Sequence, residues 1–401
     1  MKTRVGACCA LLVAVALPGC ATDEGSGAGS GDTLTVYVSA PLRGSSAPYG
    51  RAIHDGARLA LGDANGRAGE IGIEAVFLDD TGRRAREARW SAGQVGENAR
   101  TATSDSAAIA YIGEFESGAT RVSLPITNEA RMLQVSPASA AIDLVSPVPG
   151  SDEVPERVQP SGERSFGRVI PDDELQGAAG AVWADRLRSR DALAFSLERF
   201  GNVVAGEFAE EAEQFGIPVV RARTIARLMN ALSSRLDLVY IGAPAQYGLP
   251  LFEDVARDAP SATLISTDAV LLDRSFLRGA QPFERRLRLT AAAQNPAQLP
   301  PPAGPEFVRG YREEYGRLPD PYAAYGYEAM AVVLDSIERA GEPVDRPAVI
   351  DAFFDTVDRR SVLGTYSIDE VGNTTLDRMA GYRVRAGRPV FDAALRAPVS
   401  G

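Results

Sequence analysis

Residues 33–80 read TLTVYVSAPLRGSSAPYGRAIHDGARLALGDANGRAGEIGIEAVFLDD, and this stretch decides the fold. Leu34-Thr35-Val36-Tyr37-Val38 is rich in strand formers and stops at Pro41 and Gly44. A helical pattern follows from Arg51, with Ile53, Ala57, Ala60, Leu61 and Ala64 on one apolar stripe. Residues 71–78 make the next strand, which ends in Asp79-Asp80. Strand, helix and strand at this spacing form a βαβ unit, and such units build a parallel sheet. Outward from it the spacing predicts a helix over 84–100, a strand over 107–112, a helix over 118–130 and a strand over 132–135. A Pro/Ser/Glu-rich stretch, 146–164, interrupts the alternation. Beyond it helices are expected over 174–188, 201–215 and 249–256, with strands over 191–195, 217–220, 236–241 and 263–266. The fold class is therefore α/β in two lobes. Open α/β sheets hold ligands at the carboxyl ends of their strands, here the loops after Val38, Ile112, Val135, Ile241 and Ile265.

Composition excludes whole classes of chemistry. The formal net charge of -11 argues against nucleic acid as partner. Lys2 is the only lysine, so neither a P-loop lysine nor a Schiff base can operate in the folded body. His54 is the only histidine, which removes multi-histidine metal sites and leaves a single candidate base. It sits one position off the apolar stripe of its helix, so a solvated surface position is expected. The 3 cysteines all fall within the first 20 positions, leaving the body without disulfide, thiolate nucleophile or cysteine-bound metal. Adjacent acids such as Asp79-Asp80 and Asp172-Asp173 read as caps and turn residues. No catalytic residue, metal site or cofactor is expected, and the chain does not read as an enzyme.

The N-terminus reads as an export signal over 1–19. Two positive charges precede residues 5–17, an apolar run too short to span a bilayer of about 30 Å. The run ends in Leu17-Pro18-Gly19-Cys20, which resembles a bacterial lipobox, and the resemblance implies lipidation of Cys20. The competing reading is ordinary cleavage to a free protein. Residues 20–32 then hold the lipidated cysteine and a Gly/Ser-rich flexible tether.

The strand-end loops share a chemistry. Pro41 to Gly50 follows the first strand, Gly113 to Thr120 the third, and Ser136 to Ala141 the fourth. Small hydroxyl residues and glycines before helix N-termini leave N–H groups free, and with the helix dipole they can seat a carboxylate. Singly, Ser117 and Ser136 could be no more than helix caps and turn formers.

The chain resembles the type I periplasmic binding proteins of the branched-chain amino acid, or Leu/Ile/Val, class of ABC transporter receptors. The resemblance rests on Ser39-Ala40-Pro41-Leu42 with Tyr49-Gly50, on Ala110-Tyr111-Ile112-Gly113 with Ser117, and on Gln134-Val135-Ser136-Pro137-Ala138. Asp320-Pro321-Tyr322-Ala323-Ala324-Tyr325-Gly326-Tyr327-Glu328-Ala329 and Leu363-Gly364-Thr365-Tyr366-Ser367-Ile368-Asp369 complete it. It implies two Rossmann-like lobes joined by a three-crossover hinge, the first comprising 33–168 and 288–361, the second 169–287 and 362–401. It also implies a ligand carboxylate held by Ser117 with backbone amides near Ala138, Ser139 and Ala140, an ammonium held by Asp268, and aromatic cleft walls from Tyr49, Phe200 and Tyr327. Asp268 could instead cap the next helix, and the aromatics could pack at the hinge. The chain departs from the pattern at Ala140, where a threonine is usual, and at Pro244, where a ligand-facing tyrosine can occur. Arg43 stands where a small residue is usual, and either adds a cation to the cleft or points to solvent. Between Val220 and Leu236 the second lobe is also short.

The expectation is a monomeric, extracytoplasmic lipoprotein, attached to the membrane through its lipid anchor only. It would capture a small amino-acid-like or amide ligand and deliver it to an ABC permease. The alternative is a sensory or protein-binding module that has kept the fold and lost transport.

Overall fold

The computed structural model describes residues 33–82, 89–148 and 155–398. The export signal, Cys20 and the tether lie outside the described residues. Strands β1 (Leu34–Ala40), β2 (Arg67–Ala68), β3 (Ile71–Asp79), β4 (Ala108–Ile112), β5 (Leu133–Ser136) and β6 (Phe166–Arg168) form one sheet in the order β2-β3-β1-β4-β5-β6. All pairs in it are parallel except β2 with β3. Alternation on β1 sends Val36 and Val38 to a core shared with Ile53, Ala57 and Ala60, while Tyr37 packs with Ala102 and Tyr111 in a separate cluster on the same sheet. The second sheet runs β15-β14-β11-β10-β9-β7-β8. Its strands are β7 (Ala192–Ser196), β8 (Val219–Ala222), β9 (Leu238–Gly242), β10 (Thr263–Ser266), β11 (Leu287–Ala291), β14 (Arg378–Arg385) and β15 (Arg388–Arg396). A small hairpin, β12 (Arg359–Ser361) with β13 (Gly364–Tyr366), stands apart from both. The architecture is thus mixed α/β with two mainly parallel sheets.

The chain passes between the sheets after β6, after β11 and after the β12–β13 hairpin. Two of these passages differ from expectation. β11 pairs with β10 and β14, so residues 288–291 complete the second sheet instead of opening the first lobe's return. Residues 362–372 in turn stay with the first lobe. The Tyr366 hydroxyl donates to Glu328 at 2.8 Å, and the Arg168 N–H donates to the Gly372 carbonyl at 2.9 Å. In both places the contacts that decide membership are non-local. Of the helix expected over 84–100, residues 84–88 lie outside the described residues, and the described helix is Ala92–Ser104, preceded by extended Ser91.

Helices Ala47–Asp63 and Pro321–Arg339 cross closely enough to need glycine on both sides. A Cβ on Gly56 would lie 1.9 Å from the Ala323 oxygen, and one on Gly326 would lie 2.3 Å from the Ile53 oxygen. His54 sits on this packed helix and is buried, not solvated as its position suggested. Its ring meets Phe77 of β3 edge-on at 5.1 Å. Burial, then the nearby Arg58 charge, pushes its pKa down to about 3, so the ring is neutral.

Candidate functional site

The cleft between the lobes is lined by residues of both, and its volume of ≈ 1170 Å³ lies just above the usual range of ligand sites, about 300–1,000 Å³. On the first-lobe side the floor is made by the loops after β4 and β5. Ser136 Oγ donates to the Glu114 carbonyl at 2.8 Å and accepts from the Ala138 and Ser139 N–H groups at 3.2 and 2.8 Å. Ser139 Oγ donates to the same Glu114 carbonyl at 3.1 Å and meets Thr120 Oγ1 at 2.7 Å. Two hydroxyls thereby lock the loops together.

Behind the floor, buried Arg168 draws the carbonyls of Ser139 and Ala141 away from the cleft at 3.1 and 2.8 Å. The Ala140 carbonyl accepts from the Asp173 N–H at 3.1 Å. With three carbonyls turned back, the loop leaves one amide, that of Ala140, for the cleft. The Ala141 N–H donates to Ser117 Oγ at 3.2 Å, and the Ala140 N–H donates to no group among the described residues. Ser117 also opens helix Ser117–Glu129, whose first N–H groups have no partner within the helix. Hydroxyl, amide and dipole end together favour an anion here.

The second lobe opposes this floor with acids. Asp268 follows β10 and lines the cleft. The helix cap expected of it is supplied instead by Thr267, whose hydroxyl accepts from the Ala269 N–H at 3.3 Å. Burial raises the Asp268 pKa, while Gln176 and the Ala292 N–H pull the other way. Asp173 lines the same cleft, and burial, then the charge of Asp268, pushes it up to about 8. The buried Tyr240 hydroxyl, which has no partner among the described residues, feels both acids. Two buried carboxyl groups, one raised by the charge of the other, form a seat for a cation.

Ser117, Ala138, Ala140, Phe200 and Asp268 are thus brought to one cleft. Four other expected site residues are placed elsewhere. Ser139 is fully buried behind the floor, where its hydroxyl serves Glu114 and Thr120. Tyr49 stands one layer back, stacked on Phe115 at 5.7 Å and meeting Tyr322 edge-on at 5.7 Å. Tyr327 donates to Asp63 at 2.9 Å and packs on Phe307, away from the cleft. Tyr322, five residues earlier on the helix and about 140° around it, is the tyrosine that reaches the lining. Arg43 pairs with Asp79 at 3.2 Å with 54% of its side chain exposed, and does not line the cleft.

Sequence reasoning missed Asp173, Arg89, Glu116 and Arg274, all in the lining. Of the pair Asp172-Asp173, only Asp172 is the cap, accepting from the Leu175 N–H at 3.1 Å. At one side of the cleft, buried Asp143 pairs with Arg121 of the first lobe and with Arg199 on helix Glu198–Gln214 of the second. One carboxylate therefore ties the two lobes.

A second acid pair lies behind the floor. Glu114 accepts from Ser39 Oγ at 2.8 Å and from the Tyr111 hydroxyl at 2.6 Å, beside fully buried Asp80. Burial raises both carboxyls, and the Glu114 charge adds to the reluctance of Asp80 to ionise, while hydrogen bonds from Tyr111, Ser39 and Asp80 pull Glu114 the other way. The folded state therefore keeps a proton that the unfolded chain gives up. That contribution is complete below the unfolded carboxyl pKa of about 4 and is lost as pH rises toward the folded value. Asp80→Asn is expected to raise the Tm at pH 8 and to flatten the loss of stability between pH 5 and 8, by up to about 1.4 kcal/mol per pH unit. Thermal melts of both proteins across that range check it, and parallel curves would refute it.

Comparison with known proteins follows the same outline. A family model described as periplasmic binding protein matches residues 33–389. The Leu/Ile/Val-binding protein BraC3 of Rhizobium johnstonii is 24% identical over 371 residues, covering 89% of this chain and 93% of that protein. An amino acid binding protein of Pseudomonas aeruginosa is 23% identical over 352 residues, covering 85% and 87%. Among solved structures, the leucine binding protein LivK of Thermotoga maritima superposes with a TM-score of 0.68 at 24% identity, over 90% of this chain and 99% of that one. A Rhodopseudomonas palustris solute binding protein in complex with benzoate gives 0.66 at 18% identity, over 92% and 98%. These likenesses establish the two-sheet fold and leave the ligand to the cleft itself.

Proposed function

We propose, from the premise that this chain belongs to the periplasmic binding protein family, that it is an extracytoplasmic solute receptor. It closes its lobes on a small amino-acid-like or amide ligand and delivers it to an ABC permease. Lipidated Cys20 and the tether would hold it at the membrane as a monomer. One observation carries the reading: an amide-and-hydroxyl floor at Ser117 and Ala140 and the acids Asp173 and Asp268 line the same cleft. A zwitterion satisfies both sides at once, each charge-assisted hydrogen bond contributing about 1.5–3 kcal/mol. A simple aromatic acid, as in the benzoate complex of the R. palustris protein, would leave the two buried acids without a cation. No step of bond-making is needed, and His54, the only imidazole, is buried, neutral and absent from the cleft lining.

The test is a thermal-shift screen of the purified protein against amino acids, short amides and carboxylates. A ligand present at 100 times its Kd is expected to add about 2.7 kcal/mol. Amino compounds should raise the melting temperature and benzoates should not. A flat response to every compound would overturn the reading.

A further inference from the structure

The cleft has a third charged region that a simple aliphatic amino acid would leave unused. Arg51 and Arg89 line it from the first lobe and Arg274 from the second. Arg121 and Arg199 also line the cleft, but Asp143 engages both. Arg89 reaches Glu116 at 3.3 Å, one acid for a guanidinium that carries five N–H donors. Arg51 spends one N–H on the Leu42 carbonyl at 3.3 Å and forms no ion pair among the described residues.

Arg274 likewise makes no ion pair among the described residues. Its neighbour Asp273 is engaged in capping, accepting from the Ser275 and Phe276 N–H groups at 2.8 and 3.1 Å. Beside the burial of Tyr49, the charges of Asp320, Arg274, Arg89 and Asp273 act on its phenol, so the two guanidiniums share one neighbourhood with two acids, of which Asp320 caps its own helix by accepting from the Tyr322 N–H at 3.2 Å. Closing a branched aliphatic side chain over them would strip their water and return no hydrogen bond. A carboxylate set between them would be gripped from both lobes by planar, bidentate donors.

Resting on the reading of the cleft as an amino-acid site, we propose that the region between Arg89 and Arg274 takes a second anion, so that the ligand is an amino acid with an acidic side chain. The α-carboxylate lies on the Ser117 floor and the ammonium at Asp268 and Asp173. The side-chain carboxylate bridges the lobes and makes closure depend on its charge.

Isothermal titration of the purified protein with L-glutamate, L-aspartate, L-glutamine and L-leucine tests this. An acidic amino acid should bind at least about tenfold tighter than L-glutamine or L-leucine. Arg274→Gln should erase that preference, bringing the affinity for the acidic amino acid down to that for L-glutamine, and Arg274→Lys should keep part of it. Tighter binding of L-leucine, or an acidic preference that survives in Arg274→Gln, overturns the inference and leaves the receptor reading intact. Binding of none of the four overturns the inference, and a flat thermal-shift screen alongside it overturns the receptor reading as well.

Discussion

Asp268→Ala is expected to weaken ligand binding by about 30-fold to several thousandfold, and the addition of Ser117→Ala to remove measurable binding. Truncating one partner of a buried, hydrogen-bonded charge pair costs about 2–5 kcal/mol, at 1.4 kcal/mol per decade of Kd. The missing serine hydroxyl adds about 1.5–3 kcal/mol at the opposite end of the ligand. The two residues stand on opposite lobes of the cleft and share no partner, so their effects should nearly add. Stability should move the other way. The Asp268 charge helps hold the Asp173 carboxyl near 8, so its removal relieves a repulsion in the empty cleft. An Asp268→Asn protein that melts no lower than wild type yet fails to bind would mark a residue kept for ligand at the expense of stability. His54→Ala is the contrasting control, because it removes a buried ring packed on Phe77 and should lower the Tm while leaving Kd unchanged. Titration calorimetry with a ligand found in the thermal-shift screen, together with melts, separates these outcomes. Asp268→Ala binding within fivefold of wild type would refute the assignment.

What could be read from the sequence was whatever depends on local order. The apolar alternation of 34–38 and the stripe through Ile53, Ala57 and Ala60 fix which faces are buried before any long-range contact forms, and both appear in the core. Ser117 and Asp268 follow strands directly, and a residue in that position of a parallel sheet has little choice but the cleft edge. What was not legible depends on partners far along the chain. Arg43 was free to face cleft or solvent until the β1–β3 register set Ala40 opposite Asp79, which places the acid within the arginine's reach. His54 looked solvated because it sits one position off the apolar stripe of its helix, whereas Phe77 of a later strand covers it. Tyr322 and Tyr327 are chemically equivalent in sequence, and only the crossing with helix Ala47–Asp63 decides which one faces the ligand. Asp173 was hidden by adjacency, since its neighbour Asp172 satisfied the expectation of a helix cap.

The motif segments that marked the fold turn out to meet in a buried polar knot, and its acid should be the costliest single residue outside the cleft. Glu328, 1% exposed, accepts from Arg359 Nε at 2.7 Å and from the Tyr366 hydroxyl at 2.8 Å. Three elements are joined by one carboxylate: helix Pro321–Arg339 and both strands of the β12–β13 hairpin, next to the last passage between the lobes. Burial raises the Glu328 pKa, and the Arg359 charge opposes that rise, so the acid's solvation is replaced by this one cation and one phenol. Glu328→Ala strands a guanidinium with 16% of its side chain exposed and a fully buried hydroxyl together. Removing one partner of a buried pair costs about 3–5 kcal/mol, which for a chain of this length lowers the Tm by about 4–6 °C. Residual pairing of Arg359 with Asp335 at 3.3 Å favours the lower end, and Glu328→Gln, which keeps an acceptor oxygen, should lose about half as much. Since none of the three residues lines the cleft, Kd at a temperature where the variant is folded should stay within severalfold of wild type. Melts within 1 °C of wild type would show that the knot contributes nothing to the fold. A Kd that rises as far as in Asp268→Ala would show instead that it sets the angle at which the lobes close.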